Sequence, residues 1–66
     1  MPMDERRAKI LYLVSRNYPS LSELEEALRH NHMQVSNSTI KRDITKLREV
    51  VNIQYSNRYK GYYISK

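Results

Sequence analysis

The sequence predicts one small, mainly α-helical α+β domain, with three helices followed by a two-stranded β-hairpin. Three observations predict it. Apolar residues recur at helical spacing in three blocks that end at Val51, and from Asn52 onward the period falls to two. Serines able to cap a helix stand just ahead of the second and third blocks. With 66 residues, 39% of them apolar and no cysteine, there is room for one thin core and no means of stapling it with disulfides.

The first helix is expected over residues 4–17. Asp4 and Glu5 stand where the positive end of a helix favours acids. Ile10, Leu11, Leu13 and Val14 supply the apolar stripe, with Tyr18 closing its lower end, and Pro19 prevents continuation.

The second helix is expected over 20–30. Ser20-Leu21-Ser22-Glu23 matches a capping box, in which the serine caps the helix and the glutamate reaches back. Leu21, Leu24, Ala27 and Leu28 follow at helical spacing, and Asn31 is the expected C′ residue. His30 and His32 lie two apart with no third ligand beside them, so no metal site is expected.

The third helix is expected over 36–51. Ser36 is its N-cap, and Val35 with Ile40 occupies the two positions of a hydrophobic staple. Ile40, Ile44, Leu47 and Val51 share a narrow sector, and Ser38, Lys41, Arg42, Thr45 and Glu49 fall on the opposite side. The result is one greasy face and one short, polar, mostly basic face.

In the last block, over 52–65, Ile53 and Tyr55 alternate with polar residues, as do Tyr62 and Ile64. Between them Asn57-Arg58-Tyr59-Lys60-Gly61 reads as a loop whose glycine can take positive φ. The Ile/Tyr face must pack on the helices, because an isolated hairpin is marginal in water. Tyr12, Tyr18, Tyr55 and Tyr62 are expected in the core or at its edge, whereas Tyr59 stands at the loop tip between two bases.

Charge divides the chain. Residues 1–35 carry five bases and five acids, while 36–66 carry seven bases and two acids, so the whole net charge of +5 lies in the second half. Such a surface suits a polyanion, although charge alone fits an unpartnered solvated face equally well. Enzyme chemistry is hard to build from this chain. There is no glycine-rich phosphate loop, no cysteine nucleophile and no evident histidine–carboxylate pair, and Glu23, Glu25 and Glu26 read as a cap plus solvated positions. No cofactor is expected. The longest apolar run, Ile10 to Val14, is too short for a membrane span, and the N-terminus lacks the apolar core of a signal peptide, so a cytoplasmic location is expected.

Three helices and a hairpin, in that order, form the winged helix-turn-helix layout, with the third helix offered to the major groove of double-stranded DNA and the hairpin as wing. Residues 1–66 then form a single DNA-binding domain. Its expected contacts are Ser36, Asn37, Ser38, Thr39, Lys41, Arg42, Thr45 and Lys46 on the helix, with Arg58, Tyr59 and Lys60 on the wing.

The run Val35-Ser36-Asn37-Ser38-Thr39-Ile40-Lys41-Arg42-Asp43-Ile44, followed by Leu47, resembles the V-S-x-x-T-I-x-R-D-I/L-x-x-L signature of DeoR-like winged helices. Ile53-Gln54-Tyr55 and Tyr59-Lys60-Gly61-Tyr62-Tyr63-Ile64 are similar to the wing that precedes a WYL domain. That resemblance implies the operator-binding domain of a bacterial transcription regulator. It implies that Ser36 and Thr39 touch phosphate, that Arg42 faces DNA, and that Asp43 orients a neighbouring basic residue instead. The turn His30-Asn31-His32-Met33-Gln34 is longer than the one most such proteins have. Relatives of this kind continue into a ligand-sensing, oligomerising domain, so a homodimer would form through a region outside these residues. Two other readings stand beside it, a small DNA-bending factor of the excisionase type and a winged-helix protein-docking module. The second would be favoured by an apolar patch on the outer face of the third helix, and the sequence places none there.

Overall fold

Ile10 and Val14 are four residues apart, so helical geometry sets them on one side, one turn above the other. A computed structural model describes residues 5–65, and in it both are buried on α1 (Glu5–Arg16) with Leu11 and Leu13 flanking them. Asp4, the expected first residue of this helix, lies outside the described residues. The helix stops where Asn17 donates its N–H to the Leu13 carbonyl, two residues before Pro19.

The capping box forms as expected at α2 (Leu21–His30). Ser20 Oγ accepts from the Glu23 N–H at 3.2 Å, and Glu23 Oε1 accepts from the Ser20 N–H at 2.9 Å. The far end differs from expectation by one residue. Asn31 is the C-cap, and the C′ position is taken by His32, which adopts a left-handed φ of 59°. Met33 N–H bonds to Leu28 O at 2.8 Å and His32 N–H to Arg29 O at 3.2 Å, which is the double hydrogen bond of a Schellman motif. Met33 then packs on the core alongside buried Leu28.

Ser36 caps α3 (Asn37–Leu47), with Ile40, Ile44 and Leu47 buried and Val35 partly buried against the core. This helix is shorter than expected. After Leu47 the bonds tighten, Glu49 N–H reaching Lys46 O and Val50 N–H reaching Leu47 O, three residues back. The β-branched pair Val50-Val51 favours extension over continued helix. Val51 therefore meets the core from a turn and not from a helical stripe, and Val50 is exposed.

The hairpin pairs β1 (Ile53–Ser56) with β2 (Gly61–Ile64), antiparallel, Ile53 opposite Ile64 and Tyr55 opposite Tyr62. Ile53 is buried, while Tyr62 and Ile64 pack on the core. Arg48 Nε donates to Ile53 O at 3.2 Å and joins the end of α3 to the first strand. The left-handed loop residue is Lys60, φ 54°, not Gly61. Gly61 is required for another reason. A Cβ there would stand 1.9 Å from the Tyr18 carbonyl oxygen, so no side chain fits. Beside it Tyr62 N–H donates to Pro19 O at 2.9 Å, tying the wing to the α1–α2 loop.

Three helices and a two-stranded wing around one core make a winged helix. Tyr12, Tyr18 and Tyr55 are not core residues, since each is exposed, and of the four tyrosines expected inside only Tyr62 packs on the core. Branched aliphatics fill the small interior, which leaves phenol hydroxyls in contact with water. Tyr12 instead lies between Lys9 and Arg16, and Arg16 Nη1 donates to its hydroxyl at 2.9 Å.

Candidate nucleic-acid interface

With one side of α3 sealed, its other side is committed to solvent. Asn37, Ser38, Lys41, Arg42, Thr45 and Lys46 are all exposed there, and Thr39 is half-buried at the edge. Ser38, Lys41, Arg42 and Thr45 span a sector of about 100° at the helical repeat. Lys41, Arg42 and Lys46 make no ion pair among the described residues. Thr45 Oγ1 is turned back onto Lys41 O at 3.0 Å, so its methyl group and not its hydroxyl proton is offered outward.

The helix begins with a hydroxyl pair. Ser36 Oγ lies 3.1 Å from Thr39 Oγ1 and also accepts from the Thr39 N–H. Whichever hydroxyl donates within the pair, the other keeps a proton for an outside acceptor. The first-turn N–H groups of Asn37 and Ser38 lack intrahelical partners by geometry, and they stand at the positive end of the helix dipole. This end of α3 presents hydrogen-bond donors and partial positive charge to solvent.

Asp43 is the one acid within α3, and it faces inward with 2% of its surface exposed. Arg6 grips it with two bonds, Nε to Oδ2 at 2.5 Å and Nη2 to Oδ1 at 3.1 Å, while Arg7 Nε reaches Oδ1 at 3.2 Å. Burial pushes the carboxyl up, but the hydrogen bonds and charges of the two arginines pull it down further, so its pKa lies below the ordinary aspartate value. The basic partners that Asp43 orients come from α1 and not from its own helix. Its negative charge is neutralised from behind, so nothing on α3 offsets the positive outer face.

The wing tip presents Arg58, Tyr59 and Lys60, all exposed. Tyr59 is not a free stacking platform. Its ring stacks on Tyr18 with centroids 4.4 Å apart, and the Arg58 guanidinium carbon lies 5.4 Å from its centroid. Two of the three acids on α2 are engaged in local structure. Glu23 serves the cap, and Glu26 pairs with Arg29 at 2.5 Å and meets His30 at 3.3 Å, contacts that hold its pKa below the ordinary value. Among the described residues no cluster of three or more metal-ligating side chains occurs, and no helix is long and apolar enough to cross a membrane.

Sequence reading counted Arg6, Arg7 and Arg48 only as charges and put Tyr18 at the core edge. Arg6 and Arg7 precede Ile10 by four and three residues, so the helical period already placed them on the core-facing side of α1. Tyr18 carried no comparable local signal, because its partners lie some forty residues away.

No curated protein and no solved structure matches the chain significantly. A family model does match, that of the FokI, D3 domain, over residues 3–58, a span that takes in all three helices and the first strand of the wing. The match covers well over half of a chain that folds as a winged helix, and the chain belongs to the FokI D3 domain family.

Proposed function

We propose that this domain binds double-stranded DNA, with α3 in the major groove and the wing gripping the adjacent backbone. The observation that carries this reading is the outer face of α3, where Lys41, Arg42 and Lys46 stand exposed and without an ion pair among the described residues, while Asp43 is turned inward. The FokI D3 family match supports DNA as the partner. Arg42 and Lys41 have the reach and donors to address base edges. Ser36, Asn37, Ser38, Thr39 and Lys46 would meet phosphates, and Thr45 would offer a methyl contact. Arg58, Tyr59 and Lys60 grip the backbone without reading it.

At the finer level, we read the domain as the operator-binding part of a cytoplasmic bacterial transcription regulator of the DeoR-like, WYL-associated kind. It would dimerise through another region and perform no catalysis itself. This rests on the resemblance of Val35–Ile44 and Tyr59–Ile64 to that group.

A duplex titration over a salt series tests the first level. Four to seven phosphate contacts give a log–log slope of about −4 to −6. Salt-independent affinity, or no binding at low ionic strength, would instead favour the protein-docking module. Selection from a random duplex pool, with the domain alone and artificially dimerised, tests the second level. Enrichment of a two-fold symmetric site by the dimer supports an operator reader, whereas tight binding with no enriched sequence points to a DNA-bending factor.

A further inference from the structure

The two cations of the wing tip sit on a four-residue loop with little buried surface, yet the loop is not loose. Tyr18, from the α1–α2 loop, stacks on Tyr59 with planes 24° apart and leans on Tyr63 at 5.6 Å. Tyr59 N–H donates to Ser56 Oγ at 3.1 Å, and Arg58 lies against the Tyr59 ring. Lys60 holds φ at 54°, a conformation that a lysine keeps only where its surroundings impose it. The Tyr62–Pro19 hydrogen bond and the close approach of Gly61 to Tyr18 anchor the base of the same loop. A cavity of about 500 Å³ borders the stack, lined by Leu13, Asn17, Tyr18, Pro19, Glu23 and Tyr59. The Glu23 carboxylate gives it the wrong sign for a phosphate.

We propose that Tyr18 is a positioning residue for DNA binding: through Tyr59 it holds Arg58 in place, so this cation meets the phosphate backbone already ordered. The inference rests on the DNA-binding reading above. A guanidinium resting on a tyrosine ring has given up much of its rotamer freedom before binding, and that part of the ordering cost no longer weakens the complex. Tyr18 itself need touch no DNA.

The test is a titration of the full chain with a short duplex of mixed sequence across a salt series, with folding followed by circular dichroism. Tyr18→Leu should weaken binding several-fold with a salt slope close to wild type, because Arg58 keeps its charge, whereas Arg58→Ala should also make the slope shallower by about one. Tyr18→Phe keeps the ring and should bind like wild type. The decisive comparison is Tyr18→Leu made in the Arg58→Ala background, where it should change affinity no further. A merely structural role would not make the two changes converge in this way. Full additivity of Tyr18→Leu and Arg58→Ala, or a Tyr18→Leu variant with wild-type affinity, overturns the inference alone. If Tyr18→Leu fails to fold, Tyr18→Met, which keeps side-chain bulk at this position but not the ring, carries the same comparison. A wild-type chain that does not bind duplex at low salt overturns the DNA reading and this inference with it.

Discussion

The third helix and the wing tip present the same charge and are held in opposite ways. α3 is fixed from beneath, by Ile40, Ile44 and Leu47 in the core and by the arginine clasp on Asp43. Its outward cations are therefore long arms on a rigid base. The wing tip places no side chain of its own in the core and is fixed from the side, by the Tyr18–Tyr59 stack, the close seat of Gly61 on the Tyr18 backbone and the Tyr62–Pro19 hydrogen bond to the α1–α2 loop. A face anchored through a core can hold its side chains in register with base pairs. A face anchored through a neighbouring loop can hold a charge near a backbone, which asks for less precision. On the proposed DNA-binding reading, base reading and backbone gripping would then divide according to how each surface is supported.

The largest expected effect breaks the helix side of this comparison. Ile44→Ala should destabilise the fold by about 2–4 kcal/mol, close to all the stability a chain this small has. Thermal unfolding measures it. An unchanged midpoint, beside a Thr45→Ala variant that unfolds, would mean that the two faces of α3 have been exchanged.

Gly61→Ala breaks the wing side. The added methyl collides with the Tyr18 backbone, and overpacking of this kind costs about 1–3 kcal/mol. Hydrogen exchange should show the hairpin amides losing protection while those of α2 and α3 keep theirs. Uniform loss throughout would mean that the wing and the helices are one cooperative unit.

Substitutions of the surface cations sharpen the contrast. Lys41→Ala or Arg42→Ala should cost about 1–3 kcal/mol of affinity on a preferred duplex and relax preference at one or two base positions. Arg58→Ala or Lys60→Ala should weaken preferred and scrambled duplexes alike, each changing the salt slope by about one. If the wing variants alter preference and the helix variants do not, the roles are reversed.

The smallest effect is confined to acid. Because the Asp43 pKa is lowered in the fold, its clasp contributes fully above the unfolded-state value of about 4 and is lost as pH falls through the lower folded value. The stability difference between wild type and Asp43→Asn should therefore be constant near neutrality and shrink below about pH 4. A difference that stays constant throughout would show that the carboxylate's charge contributes nothing.

What was legible in the sequence is what one helical turn or one strand pair can encode. The Ser20/Glu23 box, the Ser36 cap and the Ile40/Ile44/Leu47 stripe each rest on spacings of four residues or fewer, and the structure realises all three; the alternation after Asn52 marked the hairpin and buried Ile53, but Tyr55 stays exposed. Features that depend on distant parts of the chain were not legible. Arg6 and Arg7 reach Asp43 across 36 or more residues, and nothing around Gly61 announces that the Tyr18 carbonyl lies against it. The end of α3 fell between these cases. The apolar period ran on to Val51, but β-branching and the need to seat Ile53 in the core stopped the helix at Leu47.

The long turn between α2 and α3 has a consequence for how the domain tolerates change. Its first residues are locked by the Schellman bonds and by Met33 on the core, and its last by Val35 against the core and the Ser36 cap. Only Gln34, exposed between them, is left without such a tie. The extra length therefore behaves as an elbow joint set at one angle and not as slack rope. A residue inserted or deleted here would not be absorbed as it is in an ordinary surface loop. It would have to displace the Met33 or Val35 packing or the Ser36 cap, and each of these sets how α3 sits on the core.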